Sequence, residues 1–287
     1  MKPNTLFAAI LTLAGLSLAL PVQATTTYSY SWNLDASGTE TGAGTYGNTR
    51  TYAGTGTPSS APANNVVASA WADTTSGTST TSATTTNSTL NSAYLGYYAG
   101  NGLGVSNQYE GKVVGPLNVS APNHAMDNAS NYDSIEFKFD SATTLSKVTL
   151  GYPSATSTYD SDISILAWIG TGSPILSGNK YVSLVGDGWK VIGNYCNVAT
   201  LTNQTINFTT GVSSSYWIVA AYNNVFGADC IDAITGKSSA CNTPTTNFDY
   251  VKVKMLAGST PPPGVPEPAT LLLFGAGLLG LVRMRRQ

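Results

Sequence analysis

Ser134-Ile135-Glu136-Phe137-Lys138-Phe139 decides how the rest of the chain is read. Apolar side chains recur at every second position with charged ones between them. That is the period of a strand with one buried face. The same pattern extends in both directions. Tyr28, Tyr30, Trp32 and Leu34 alternate with polar residues, and Val251, Val253 and Met255 alternate with Lys252 and Lys254. Val148-Thr149-Leu150, Ile163 to Ile169, Tyr181 to Val185, Ile206 to Phe208 and Tyr216 to Tyr222 read as further short strands. Gly, Pro, Asn, Asp and Ser fill the breaks, and no segment between residue 25 and the tail carries a helical period. The expected fold class is all-β, an antiparallel β-sandwich of jelly-roll type.

Two stretches interrupt this pattern. Residues 36–63 are rich in Gly and Thr, and residues 73–89 are almost all Ser and Thr. Neither can bury enough apolar surface to offset its own ordering entropy, so both are expected as loops or irregular insertions between early strands.

The ends of the chain have a different chemistry. Lys2 precedes an apolar segment from Leu6 to Leu20, and Val22-Gln23-Ala24 satisfies the small-residue rule for signal cleavage, with Thr25 as the first mature residue. At the other end Gly264-Val265-Pro266-Glu267-Pro268-Ala269-Thr270 leads into an apolar run, Leu271 to Val282, and then Arg283-Met284-Arg285-Arg286. Pro266 and Pro268 hold the Glu267 backbone extended, and the arginines resist crossing a membrane. The apolar run is shorter than the roughly 20 residues that span a bilayer comfortably, which suits a transient anchor formed by a short C-terminal transmembrane helix. The expected organisation is a signal peptide at 1–24, a β-sandwich at 25–257, a Pro-rich linker at 258–264 and a sorting tail at 265–287.

Val265 to Thr270, the segment Gly275-Ala276-Gly277-Leu278-Leu279-Gly280 and the closing arginines together resemble the PEP-CTERM sorting signal. The resemblance implies recognition at Pro266, Glu267 and Pro268 by a membrane-embedded exosortase, passage through the cytoplasmic membrane and a cell-surface or extracellular destination. A softer resemblance to exosortase-sorted surface proteins covers the body. It runs through Gly102-Leu103-Gly104-Val105, His124-Ala125-Met126-Asp127-Asn128, Ser134 to Phe139, Leu150-Gly151-Tyr152, Asp160 to Leu166 and Phe248-Asp249-Tyr250-Val251. It implies a secreted β-sandwich and transfers no active site.

Composition excludes several function classes. Only 10% of residues are charged and the formal net charge is −2. Arg50 is the sole arginine between residue 25 and the tail, so no basic patch exists to neutralise phosphates and nucleic acid is not an expected partner. Of the three cysteines, Cys230 and Cys241 bracket a short loop and form the natural disulfide pair; Cys196 is then either a buried thiol or the partner of one of the others. Gly42-Ala43-Gly44-Thr45-Tyr46-Gly47 and Gly275 to Gly280 match a dinucleotide fingerprint in spacing only, since neither stands between a buried strand and a helix.

The single histidine, His124, is expected to fix a turn by bonding backbone or Asp127, as no nucleophile elbow accompanies it. Asp127, Asn128, Asp160 and Asp162 are calcium candidates, because calcium takes several oxygen ligands from loops; the alternative is turn capping. Glycoside hydrolysis needs two carboxyls across a cleft, and nothing selects a pair among Glu40, Glu110 and Glu136. The five tryptophans fall mainly in strand patterns, so core packing is expected over sugar stacking. The functional expectation is therefore a non-enzymatic structural or adhesive protein of the surface or biofilm matrix, linked to exopolysaccharide, with a carbohydrate-binding, lectin-like module as the alternative.

Overall fold

The computed structural model describes residues 27–74, 88–110, 123–129, 131–152, 159–198, 204–241 and 248–261. In chain order the first strands are β1 (Tyr28–Asn33), β2 (Thr39–Thr41), β3 (Thr49–Tyr52), β4 (Thr55–Thr57), β5 (Val66–Ala72) and β6 (Asn91–Ser92). Next come β7 (Tyr94–Tyr98), β8 (Gly102–Ser106), β9 (Met126–Asp127), β10 (Asp133–Gly151), β11 (Tyr159–Asp160) and β12 (Ile163–Trp168). Helix α1 (Tyr181–Asp187) precedes β13 (Trp189–Cys196), β14 (Thr205–Asn207), β15 (Ser214–Ala221), β16 (Asp229–Asp232), β17 (Ser238–Ala240) and β18 (Phe248–Thr260).

The strands form an all-β sandwich. One sheet runs β4-β1-β18-β10-β14, with β8 joining β18 through Leu103 and Val253. The other runs β2-β3-β5-β10-β15-β12-β13-β16-β17. Pairing is antiparallel except for two short parallel contacts, β11 with β18 and β13 with β16. Strand β10 belongs to both sheets. Its first half, Asp133–Phe139, lies between β5 and β15, and its second half pairs with β18 and β14. The register against β15 shifts between Lys138 and Thr143, where the strand turns from one sheet into the other.

The period-2 reading of Ser134 to Phe139 holds: Ile135, Phe137 and Phe139 enter the main core, as do Leu145, Val148 and Leu150 from the second half. Trp32 and Trp217 are fully closed to solvent, and each indole N–H finds a buried carbonyl, Asn64 for Trp32 and Thr143 and Ser214 for Trp217. Burial of each ring with its donor satisfied stabilises the fold without a desolvated polar atom.

Several expectations need correction. Residues 36–63 carry three strands, β2, β3 and β4, rather than a loop. Arg50 holds this polar hairpin from within: its guanidinium donates to Glu40 Oε2 (2.6 Å), to the Ser37 carbonyl (2.7 Å) and to the Leu95 carbonyl (3.3 Å). Tyr181 to Val185 is helix, not strand. Tyr181 and Leu184, three residues apart, point into a second core, and Gly188 ends the helix in the left-handed region (φ 115°) with its N–H bonded to the Leu184 carbonyl. Strand β18 extends to Thr260 and pairs with Tyr28, so Gly258 to Thr260 belong to the sandwich and not to the linker.

The disulfide joins Cys196 to Cys230, and Cys241 is a buried thiol. The hairpin register explains why the local pair fails. Ser239, not Cys241, lies across from Cys230, while β13 runs alongside β16 and brings Cys196 to 5.8 Å, Cα to Cα. Among the described residues no helix is long and apolar enough to cross a membrane. The signal cleavage point Ala24–Thr25, residues 75–87 of the Ser/Thr run and the sorting tail lie outside the described residues.

Gly102 and Gly104 give physical meaning to the Gly102-Leu103-Gly104-Val105 element. A Cβ at Gly104 would land on the His124 carbonyl oxygen and press on Lys252 and Tyr98, and one at Gly102 would land on the Val253 carbonyl oxygen, at a φ of 88°. Gly104→Ala is therefore expected to cost about 1–3 kcal/mol, read as a lowered denaturation midpoint. Gly186→Ala, in α1 with nothing within 4 Å of its Cβ, is expected to be neutral or stabilising.

Candidate functional site

Three carboxylates from separate segments converge where β8, β9 and β10 meet. Strand β8 ends at Ser106, and the chain turns back on itself at Asn107, whose Oδ1 accepts from the backbone N–H groups of Tyr109 (3.0 Å) and Glu110 (3.1 Å). That turn presents Glu110. The two-residue strand β9 pairs with β18 at Tyr250 and Val251 and places Asp127 inside. Asp133 opens β10. One carboxylate oxygen from each of Glu110, Asp127 and Asp133 lies within 4.8 Å of the others.

Asp127 and Asp133 are closed to solvent, while Glu110 is half-buried. Most of their oxygens have donors. Asn107 N–H bonds Glu110 Oε2 (3.1 Å), Asn107 Nδ2 bonds Asp133 Oδ1 (3.3 Å), Asp127 N–H reaches Asp133 Oδ2 (3.4 Å) and Ala129 N–H bonds Asp127 Oδ1 (2.9 Å). Asp127 Oδ2 is buried with no hydrogen-bond partner. Burial pushes all three carboxyls above the usual range; Asp127 and Asp133 push Glu110 further, and Asp127 does the same to Asp133. An ionised carboxylate only accepts, so a bond within the group requires that Glu110, the most strongly raised by its neighbours, keep its proton and donate to Asp127.

Beside this cluster Lys252 projects from β18 into an aromatic box. Its Nζ lies 2.9 Å from His124 Nδ1, 4.6 Å from the Tyr98 ring centre and 4.0 Å from that of Tyr152. His124 stacks on Tyr98 at 4.6 Å. Burial lowers Lys252 to about 8 against the pull of Asp127, and burial followed by the Lys252 charge lowers His124. Of the two partners expected from sequence, backbone or Asp127, the ring keeps a bond to its own backbone, and its side-chain partner is Lys252 in place of Asp127.

The remaining sequence candidates assemble elsewhere. Asp160, Asp162 and Asp249 form a second group. Asp249 accepts from Asp162 N–H (2.7 Å) and from Asn128 Nδ2 (2.5 Å), and Asp249 N–H returns a bond to Asn128 Oδ1 (2.8 Å). Asp162 Oδ1 accepts from Asn197 N–H (3.1 Å). The four residues proposed as one ligand set are therefore divided, with Asp127 in the first group and Asn128, Asp160 and Asp162 in the second. Reading calcium candidates from sequence missed Glu110, Asp133 and Asp249. Asp249 carried a signal in its position on the last strand, and Glu110 carried none beyond being one of three glutamates in the body.

At the far end of the chain, residues 264–286 match the family model of the PEP-CTERM protein-sorting motif. The chain ends in a PEP-CTERM sorting signal. That signal implies processing by an exosortase and an exported, cell-surface protein. Pro266, Glu267 and Pro268 fall inside the matched span. Comparison with curated proteins and with solved structures returned no match, so the PEP-CTERM match speaks for the tail and the sandwich is read on its own physics.

Glu136 supplies a pH test away from these groups. Trp71 Nε1 donates to Ser69 Oγ (3.1 Å), which donates to Glu136 Oε2 (3.3 Å), and burial raises the carboxyl from 4.5 to about 7. The native state therefore binds the proton more tightly than the unfolded chain. This group's contribution is full below pH 4.5 and is lost as pH rises through about 7. Glu136→Gln is expected to match the parent in melting temperature at pH 4.5 and exceed it by about 2–5 °C at pH 8. The same offset at both pH values would show that Glu136 does not titrate in this window.

Proposed function

We propose that the jelly-roll-like sandwich is a structural or adhesive unit without catalytic activity, which an exosortase delivers to the cell surface or extracellular matrix, where exopolysaccharide is its surrounding. The tail from residue 265 serves as a temporary helical anchor in the cytoplasmic membrane until it is processed. The observation that carries the structural reading is the placement of the aromatic side chains. Trp32, Trp189 and Trp217 are buried in the two cores. Trp71 and Trp168 are half-buried, with their indole N–H groups already bound to Ser69 and to the Gly172 carbonyl. A sugar platform needs an aromatic face turned outward. The paired acids that hydrolysis would require are also poorly placed, since Asp127 and Asp133 are sealed from any substrate.

One observation favours the lectin reading. Tyr152 is the one aromatic among the exposed large hydrophobic side chains of the described residues, and it stands beside His124 and Lys252. One measurement separates these readings and a second tests the sorting. On a glycan array the exported protein is expected to show no selective binding; a selective glycan whose capture is lost in Tyr152→Ala would replace the structural reading with the lectin one. In a strain without its exosortase the tail is expected to stay attached, and normal tail processing there would contradict sorting by that enzyme.

A further inference from the structure

We propose that Glu110, Asp127 and Asp133 hold one divalent cation, calcium, where β8, β9 and β10 converge. The convergence of three carboxylates within 4.8 Å is the first ground. The second is that Asp127 Oδ2, in a fully buried side chain of that group, has no backbone or amide N–H donor. Buried polar atoms are almost always satisfied, and an orphan calls for an unseen water or ion. A neighbouring carboxyl fills that role only while it keeps its proton, as Glu110 does in donating to Asp127, whereas a cation satisfies the oxygen with all three groups ionised.

Charge and donor type narrow the occupant. Once a cation displaces their protons the three carboxylates carry three negative charges, and Lys252, the cation acting on Asp127, offsets one of them. Two remain, which a divalent ion matches. The ligand atoms are all carboxylate oxygens, with no thiolate or imidazole in the set, which selects a hard cation. They come from a turn, a two-residue strand and a strand end, a set without enforced octahedral geometry, which suits calcium better than magnesium. The group at Asp160, Asp162 and Asp249 lacks the second ground. Both Asp249 oxygens take N–H donors and no orphaned atom is found there, so that group is read as a hydrogen-bonded junction.

The test uses the full chain, stripped with chelator and titrated with calcium chloride by calorimetry and by thermal melting. One calcium is expected to bind and to raise the melting temperature by about 5 °C at saturating concentration. Asp127→Asn is expected to weaken calcium binding at least tenfold and to melt in chelator at or above the parent, because it removes a buried charge. Glu110→Gln, at the half-exposed member, is expected to weaken binding as well and serves if Asp127→Asn does not fold. Absence of binding heat and of any melting shift would overturn the site. A calcium response that survives unchanged in both variants would place the ion elsewhere and overturn it too, and a larger response to magnesium would overturn the choice of calcium.

Discussion

Nineteen consecutive residues, Asp133 to Gly151, form one strand that serves both sheets, and the rest of the structure depends on it. Its first half is hydrogen-bonded on both sides, by β5 and β15, and its second half by β18 and β14. A strand in that position must present apolar groups to a single core while changing partners midway. Ile135, Phe137 and Phe139 do so before the register shift, and Leu145, Val148 and Leu150 do so after it. The junction spares the fold an open edge where the sheets meet and fixes the angle between them. It also positions the acidic group, because Asp133 is the strand's first residue and its carboxylate is held by Asn107 at the end of β8.

The order of the sandwich also fixes how the ends of the chain leave it. Tyr28 pairs with Thr260, and β18 lies between β1 and β10. The first and last strands of the described residues are therefore hydrogen-bonded neighbours. In sequence the PEP-CTERM signal follows β18, an interior strand of its sheet. A pull on the tail during processing would act along β18 and be resisted by two ladders of backbone hydrogen bonds.

Much of this could be read from the sequence, for reasons that differ by element. Period-2 alternation marks Ile135 to Phe139 and Val251 to Val253 because one face of each strand is buried, and linear order alone carries the sorting signal. Residues 36–63 look like a loop because β2 to β4 are polar, and their order depends on Arg50 reaching Glu40, Ser37 and Leu95, a contact that composition does not reveal. Tyr181 to Val185 looks like a strand because Val182 and Val185 are apolar yet exposed, so the helical spacing of Tyr181 and Leu184 is masked. The disulfide spans 34 positions because β13 lies against β16, and local spacing favoured the wrong pair. The acidic groups share this difficulty: Asp127 and Asn128 are adjacent in sequence but turn into different clusters, a division set by the pairing of β9 with β18.

The central claim is that β1, β18 and both halves of β10 form one cooperative unit from which the sorted tail hangs. Amide hydrogen exchange on the exported protein tests it most directly. The hydrogen-bonded amides of β1, β18 and the second half of β10 are expected to exchange together, as slowly as those around Phe137 and only through global unfolding. Fast exchange along β18 and β1, with the Phe137 region still protected, would show that the chain ends are not built into the core and would contradict the claim.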